Sequence, residues 1–197
     1  MGGQITIWSR LLIKRHFNRR AFLKASLLGA FVLGSSRSGF AQYMTSQKYP
    51  SSNLTLYNTH TSEKLTTTYR TPDGDYDAEA LKSINWILRC HYTNEVANMD
   101  VRVLNFLNMV DNQLGGDNEI HIISGYRSIE YNDLLRRESG RVAKHSLHIE
   151  GKAIDIVIPS VNLSTVRKTA LALRQGGVGY YPKTGFIHID CGKLRTW

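Results

Sequence analysis

An aspartate sits at the centre of one of the most apolar stretches of the chain, Ala153-Ile154-Asp155-Ile156-Val157-Ile158. The run is rich in β-branched residues and stops at Pro159, so it reads as a buried strand. An ionised carboxylate is costly to bury alone, and it neutralises, pairs or coordinates a metal. Strand alternation puts Ala153, Asp155 and Val157 on one face and the three isoleucines on the other, so Asp155 can face a cleft while the isoleucines fill a core. A second run, Phe186-Ile187-His188-Ile189-Asp190, obeys the same rule, with Ile187 and Ile189 facing one way and His188 and Asp190 the other. His148 lies in a polar loop before the first run. If the two strands are neighbours, His148, Asp155 and His188 supply two nitrogens and an oxygen, a set that suits Zn2+ and leaves one position for water. Hydrolysis of an amide is the natural reaction of such a site.

A histidine by itself is more often an ordinary surface or core residue than a ligand. The combination with Asp155 and its flanks is what marks His148 and His188. His60, His91 and His121 have no companions at ligand spacing and read as ordinary.

The formal charge of +9 would suggest a polyanion-binding surface, but seven of the 25 basic residues lie before residue 42, where there is no acid. The remaining 18 face 16 acids, which removes the general case for nucleic-acid binding. The basic segment contains Asn18-Arg19-Arg20-Ala21-Phe22-Leu23-Lys24, then the uncharged apolar run Ala25 to Gly34 and the small-residue pattern Gly39-Phe40-Ala41. Residues 1–41 resemble a twin-arginine export signal, cut after Ala41. That implies the twin-arginine export machinery as a partner and the periplasm as the destination. The apolar run is far below the ~20 residues that span a bilayer, so no stable membrane span is expected after signal removal. Inner-membrane anchoring through an uncleaved signal is the alternative. Two cysteines, Cys90 and Cys191, follow the signal. An oxidising compartment permits their pairing, while the geometry it needs is not readable from sequence. A thiolate ligand from Cys191, close to His188, would close a site that catalysis needs open.

Residues 42–53 are polar, contain Pro50 and a serine pair, and read as a flexible lead-in; a folded domain is expected over 54–197. Leu54 to His60 and Lys64 to Arg70 suggest a β-hairpin, followed by a turn at Thr71-Pro72-Asp73-Gly74. Asp77 caps a helix whose Ala80, Leu81, Ile84, Ile87 and Leu88 recur at helical spacing. Val101, Leu104, Leu107, Val110 and Leu114 mark a second, ended by Gly115-Gly116. Ile120 to Ile123 is a short strand, Ser128 caps a helix over Ile129 to Arg137, and Leu163 to Arg174 is another helix that Gly176-Gly177 terminates. Phe186 to Asp190 is the last clear strand. Elements interleave without a regular βαβ rhythm, so the expected class is α+β, one compact domain with a small, mostly antiparallel sheet and flanking helices.

The pattern Ser146-x-His148-x-x-Gly151-x-Ala153-x-Asp155, followed by His188-x-Asp190, resembles the zinc D-Ala-D-Ala carboxypeptidase superfamily. Leu56-Tyr57-Asn58-Thr59-His60-Thr61, Ser124-Gly125-Tyr126-Arg127-Ser128, Gly177-Val178-Gly179-Tyr180-Tyr181-Pro182 and His188-Ile189-Asp190-Cys191-Gly192 bring it closer to the YcbK-like murein endopeptidase branch. The resemblance spans roughly residues 54–197. It implies that His148, Asp155 and His188 hold zinc, and that the substrate is peptidoglycan, with hydrolysis of stem-peptide cross-links as a D,D-endopeptidase. It also implies that Arg127 lies beside the site, to hold substrate oxygen or the developing oxyanion. Many relatives carry a glutamate three residues before the last histidine as general base, a position held here by Gly185. Asp190 is then the first candidate to activate water or orient His188, with Glu150 and His145 behind it. Tyr181 is a candidate groove residue and Ser146 a support of the His148 loop. Trimming of terminal D-Ala by a carboxypeptidase, and a non-catalytic wall-binding module with the same fold, are the rival expectations.

Overall fold

The computed structural model describes residues 52–140 and 142–197, so the expected export signal and most of the expected lead-in lie outside the described residues. The first strand begins at Asn53. The elements are β1 (Asn53–Asn58), β2 (Lys64–Thr68), α1 (Ala78–Ile87), α2 (Val101–Gln113), β3 (Glu119–Ser124), α3 (Ile129–Ser139), β4 (Ala153–Val157), α4 (Leu163–Leu173), β5 (Gly177–Tyr181), β6 (Phe186–Asp190) and β7 (Arg195–Thr196). The strands form one seven-stranded sheet in the order β2-β1-β3-β4-β6-β5-β7. Four of its six pairings are antiparallel; β1 with β3 and β5 with β7 are parallel. The class is α+β with a mixed sheet.

The helices start where short polar side chains can satisfy free backbone donors. The Asp77 carboxylate accepts from the Glu79 and Ala80 amides, and Ser128 Oγ accepts from the Tyr131 amide. Helix α1 packs on β1 and β2, while α2 and α4 pack on β6 and on each other. The core between them contains Leu54, Leu56, Ile84, Leu104, Phe106, Leu107, Ile120 and Ile122, together with the alternate isoleucines Ile154, Ile156, Ile187 and Ile189. That alternation leaves Asp155, His188 and Asp190 on the opposite face.

Two features depart from the expectation. Gly177–Tyr181, expected only to follow the glycines that end α4, is a strand and pairs with β6 along its whole length. Its glycines do more than end α4. A Cβ at Gly176 would lie 1.8 Å from the Asp190 carbonyl oxygen, and one at Gly177 would lie 2.2 Å from Asp190 Oδ2. The second feature is a β-bulge in β3. Ile122 pairs with Ile156, but Ser124 pairs with Asp155, so two steps on β3 match one on β4. The extra residue turns Ser124 from the core face of Ile120 and Ile122 to the face of Asp155. Both cysteines are free, Cys90 buried with its thiol 3.5 Å from Ser128 Oγ and Cys191 half-buried.

Candidate metal centre and substrate cleft

Strands β4 and β6 are antiparallel neighbours, with Asp155 directly opposite His188. His148 reaches them from a tight turn before β4. In that turn the Ser146 carbonyl accepts from the Ile149 amide (3.0 Å), and the Leu147 carbonyl accepts from Lys152 (2.9 Å). The turn closes at Gly151 with φ of +64°, where a Cβ would lie 2.6 Å from the Asn98 carbonyl oxygen. Only glycine meets both conditions. The Gly151 carbonyl then accepts from the Asp100 amide at the start of α2 (2.9 Å), tying the turn to the helical layer. Ser146 Oγ accepts from the His148 amide at 3.4 Å.

His148 Nε2, His188 Nδ1 and Asp155 Oδ1 converge. His188 Nδ1 is 2.8 Å from Asp155 Oδ1 and 3.2 Å from His148 Nε2, and His148 Nε2 is 3.3 Å from Asp155 Oδ1. The partners behind them assign the ring protons. His148 Nδ1 lies 2.7 Å from the Gly125 carbonyl oxygen, which can only accept, so Nδ1 carries hydrogen and Nε2 presents a lone pair. His188 Nε2 lies 3.1 Å from Asp190 Oδ2, which leaves Nδ1 as the lone pair of the neutral ring. Three lone pairs thus face one another in a buried space, an arrangement a cation relieves. Among the described residues this is the group of histidine, cysteine or acidic side chains placed to hold a metal. The donor set of two imidazoles and one carboxylate fits zinc, and each donor is oriented from behind.

The electrostatics follow the same plan. Burial lowers the His148 pKa, so the ring stays neutral. Burial works against charge on His188 as well, but its hydrogen bonds to Asp155 and Asp190 outweigh that and raise its pKa. Burial also opposes ionisation of Asp155, yet the neighbouring imidazoles of His148 and His188 hold its pKa well below the usual carboxylate range. Arg127 completes the enclosure. Its Nη2 donates to Asp155 Oδ2 and its Nε donates to Ser124 Oγ at 2.8 Å, the oxygen that the β-bulge turned to this face.

A cleft of about 490 Å³ opens over the cluster, lined by Arg127, His145, Ser146, Tyr181, Arg195 and Trp197 among others. Among the described residues, Asp155 is the only acidic side chain that lines it. Asp190 does not. It is fully buried behind His188, its Oδ1 accepting from the amides of Gly177 (3.3 Å) and Gly192 (2.8 Å) and its Oδ2 from Arg195 Nη2 (2.8 Å) and His188. Glu150 also stands outside the cleft, paired with Lys152 at 2.7 Å. Cys191 is not part of the cluster. Sequence reasoning missed Arg195 and Trp197. Neither follows a recognisable pattern, and both reach the site through the two-residue strand β7.

Residues 46–197 match the peptidase M15 family described as peptidoglycan L,D-endopeptidase MepK. The chain is 38% identical over 180 residues to the peptidoglycan L,D-endopeptidase MepK of Escherichia coli (strain K12), covering 91% of this chain and 97% of that protein. It is 43% identical over 145 residues to the probable peptidoglycan L,D-endopeptidase MepK of Haemophilus influenzae, covering 73% and 77% respectively. The likeness includes both strands of the cluster, the His148 turn and the Arg127 loop, and with it the chain belongs to the MepK family of M15 peptidases.

Proposed function

We propose that this chain is a zinc-dependent peptidoglycan endopeptidase that acts in the periplasm after export by the twin-arginine route, and that it cuts an L,D bond in stem-peptide cross-links. The endopeptidase assignment rests on the family membership and on identity over most of the chain. The bond follows the names of the relatives and replaces the D,D bond expected from sequence. The observation that carries the metal is the convergence of three oriented lone pairs at His148, Asp155 and His188. Zinc, when bound there, polarises the scissile carbonyl and makes water acidic enough to be the nucleophile.

The remaining work falls to the protein's own groups. Arg127, fixed by Ser124 and Asp155, keeps further N–H donors at the cleft wall, where they bind the carbonyl oxygen as it gains charge. Asp190 is a positioning residue: with every oxygen bonded and no access to the cleft, it holds the His188 ring and fixes its tautomer. With Gly185 in place of an upstream glutamate, the proton-transfer group that the cleft offers is His145, an exposed imidazole on its rim. It takes the proton of the attacking water and returns it to the leaving amine. His145→Ala is expected to lower kcat by about 10²-fold or more without loss of metal.

The deciding experiment incubates the full chain, zinc-loaded and then chelated, with muropeptide dimers joined through either an L,D or a D,D bond, followed by mass analysis. Zinc-dependent conversion of the L,D dimer to monomers, abolished together with metal content in His148→Ala, is the expected result. Loss of terminal D-Ala alone would make the protein a carboxypeptidase. A second reading, a wall-binding module without catalysis, is favoured by Gly185. It would be established if metal-replete protein bound dimers and cleaved none.

A further inference from the structure

A line runs straight across the sheet through the metal cluster. Ser124 pairs with Asp155, Asp155 with His188, and His188 with Gly179, all in register and so on one face. The line ends at Trp197. Strand β7 pairs Gly177 with Arg195 and Val178 with Thr196, and the Trp197 carbonyl accepts from the Tyr180 amide at 2.9 Å, which sets Trp197 beside Gly179. Gly179 has an ordinary backbone conformation, so its lack of a side chain answers to space. A Cβ there would lie 2.8 Å from Trp197 Cε2 and 2.9 Å from Cζ2. The indole lies over the bare backbone of β5 and reaches the ring of His188, with centroids 5.2 Å apart.

Further contacts hold it there. Indole Nε1 donates to the Tyr181 hydroxyl at 2.7 Å, and the Arg195 guanidinium sits 5.0 Å over the ring. Tyr181 in turn stacks on Phe186, with centroids 4.5 Å apart. Even so, Trp197 remains 46% exposed. A large aromatic side chain clamped from three sides and left open toward a cleft is preorganised to receive a ligand at low entropic cost. The cleft lining therefore holds two unlike sets of side chains, a polar one that includes Arg127 and His145 and an aromatic one of Trp197, Tyr181 and Phe186.

We propose that Trp197 is a substrate-binding residue: its indole face packs against an apolar part of the stem peptide beside the scissile bond. The inference rests on the peptidoglycan endopeptidase reading for the identity of the substrate. Gly179 is the complementary requirement, since any side chain there would displace the ring.

The test uses kinetics on L,D-linked muropeptide dimers and a binding measurement without turnover. Trp197→Ala raises KM by about 10-fold, as expected for a lost apolar contact in a pocket, with kcat and zinc stoichiometry held within about threefold. Trp197→Phe keeps most of the effect of the wild-type residue. The chain contains three tryptophans, so full-length protein carrying Trp8→Phe and Trp86→Phe has Trp197 as its only indole. Adding intact dimer to this metal-free protein shifts the indole emission. Unchanged emission at saturating dimer would overturn the proposal. So would a Trp197→Ala protein that loses zinc and kcat together at unchanged KM, because the indole would then serve only to hold His188. If wild-type protein cleaves no dimer, the endopeptidase reading fails, and the emission shift still decides whether Trp197 meets the peptide.

Discussion

His188 is held between two carboxylates with opposite duties: Asp155, 2.8 Å from Nδ1, shares the proposed metal position with it, and Asp190 lies 3.1 Å from Nε2 on the other side of the ring. Both raise the pKa of the ring, so protons compete with metal at a higher pH than at an ordinary histidine near 6.5. His148, with its lowered pKa, does not set that limit. Zinc occupancy is therefore expected to fall as pH drops through the raised His188 value. Asp190→Asn separates two effects. Loss of the oriented negative partner weakens zinc binding at pH 8 by about 10–100-fold, and removal of its pull on the His188 proton lowers the pH below which that affinity begins to decline. Zinc titrations of wild type and variant at several pH values check both, and an unaltered affinity at pH 8 would show that Asp190 does not support the ligand.

At the scale of elements, the glycines of β5 serve the site next door. A side chain at Gly177 would meet the Asp190 carboxylate, so Gly177→Val is expected to cost about 1–3 kcal/mol, as overpacking does. The denaturation midpoint of the metal-free protein measures it. This strand also marks the boundary of what the sequence discloses. In β4 and β6 the isoleucines alternate with Asp155, His188 and Asp190, so strand identity and facing are legible from period alone, while the pairing that joins the two polar faces is not. In β5 two of the five residues are glycines because neighbours crowd them, and a Gly-Val-Gly run has no hydrophobic period to read. The bulge in β3 is equally silent: Ile122-Ile123-Ser124 carries no glycine or proline to mark the extra residue, yet it moves Ser124 across the sheet to anchor Arg127. Pairing of β1 with β3 in parallel is a long-range contact that local propensity does not encode. Asp155 and His188 were thus readable as residue types on predicted strand faces and His148 as a loop histidine ahead of Asp155, while the supports that aim them arise from register.

At the scale of the whole molecule, the lack among the described residues of any acidic side chain in the cleft other than Asp155, itself paired with Arg127, decides more than proton transfer. After residue 41, 18 cationic residues nearly balance 16 anionic ones, so that part of the chain has little net field of its own. The cleft itself is balanced by the pairs Arg127–Asp155 and Arg195–Asp190, so a divalent cation bound at the cluster would make it net positive, in a concavity where low-dielectric walls focus potential. A polymer whose peptides carry free carboxylates is drawn toward that opening before it makes any contact. Association, not the chemical step, should then respond to ionic strength. Raising salt from about 0.02 to 0.5 M shortens the screening distance from roughly 20 Å to roughly 4 Å, and is expected to lower kcat/KM for carboxylate-bearing dimers several-fold with kcat unchanged. Dimers with amidated carboxylates should show little of this dependence. A hydrolase without a glutamate at its door thus acquires an electrostatic funnel, and its capture rate on the wall becomes a function of how many stem-peptide acids the cell leaves unmasked.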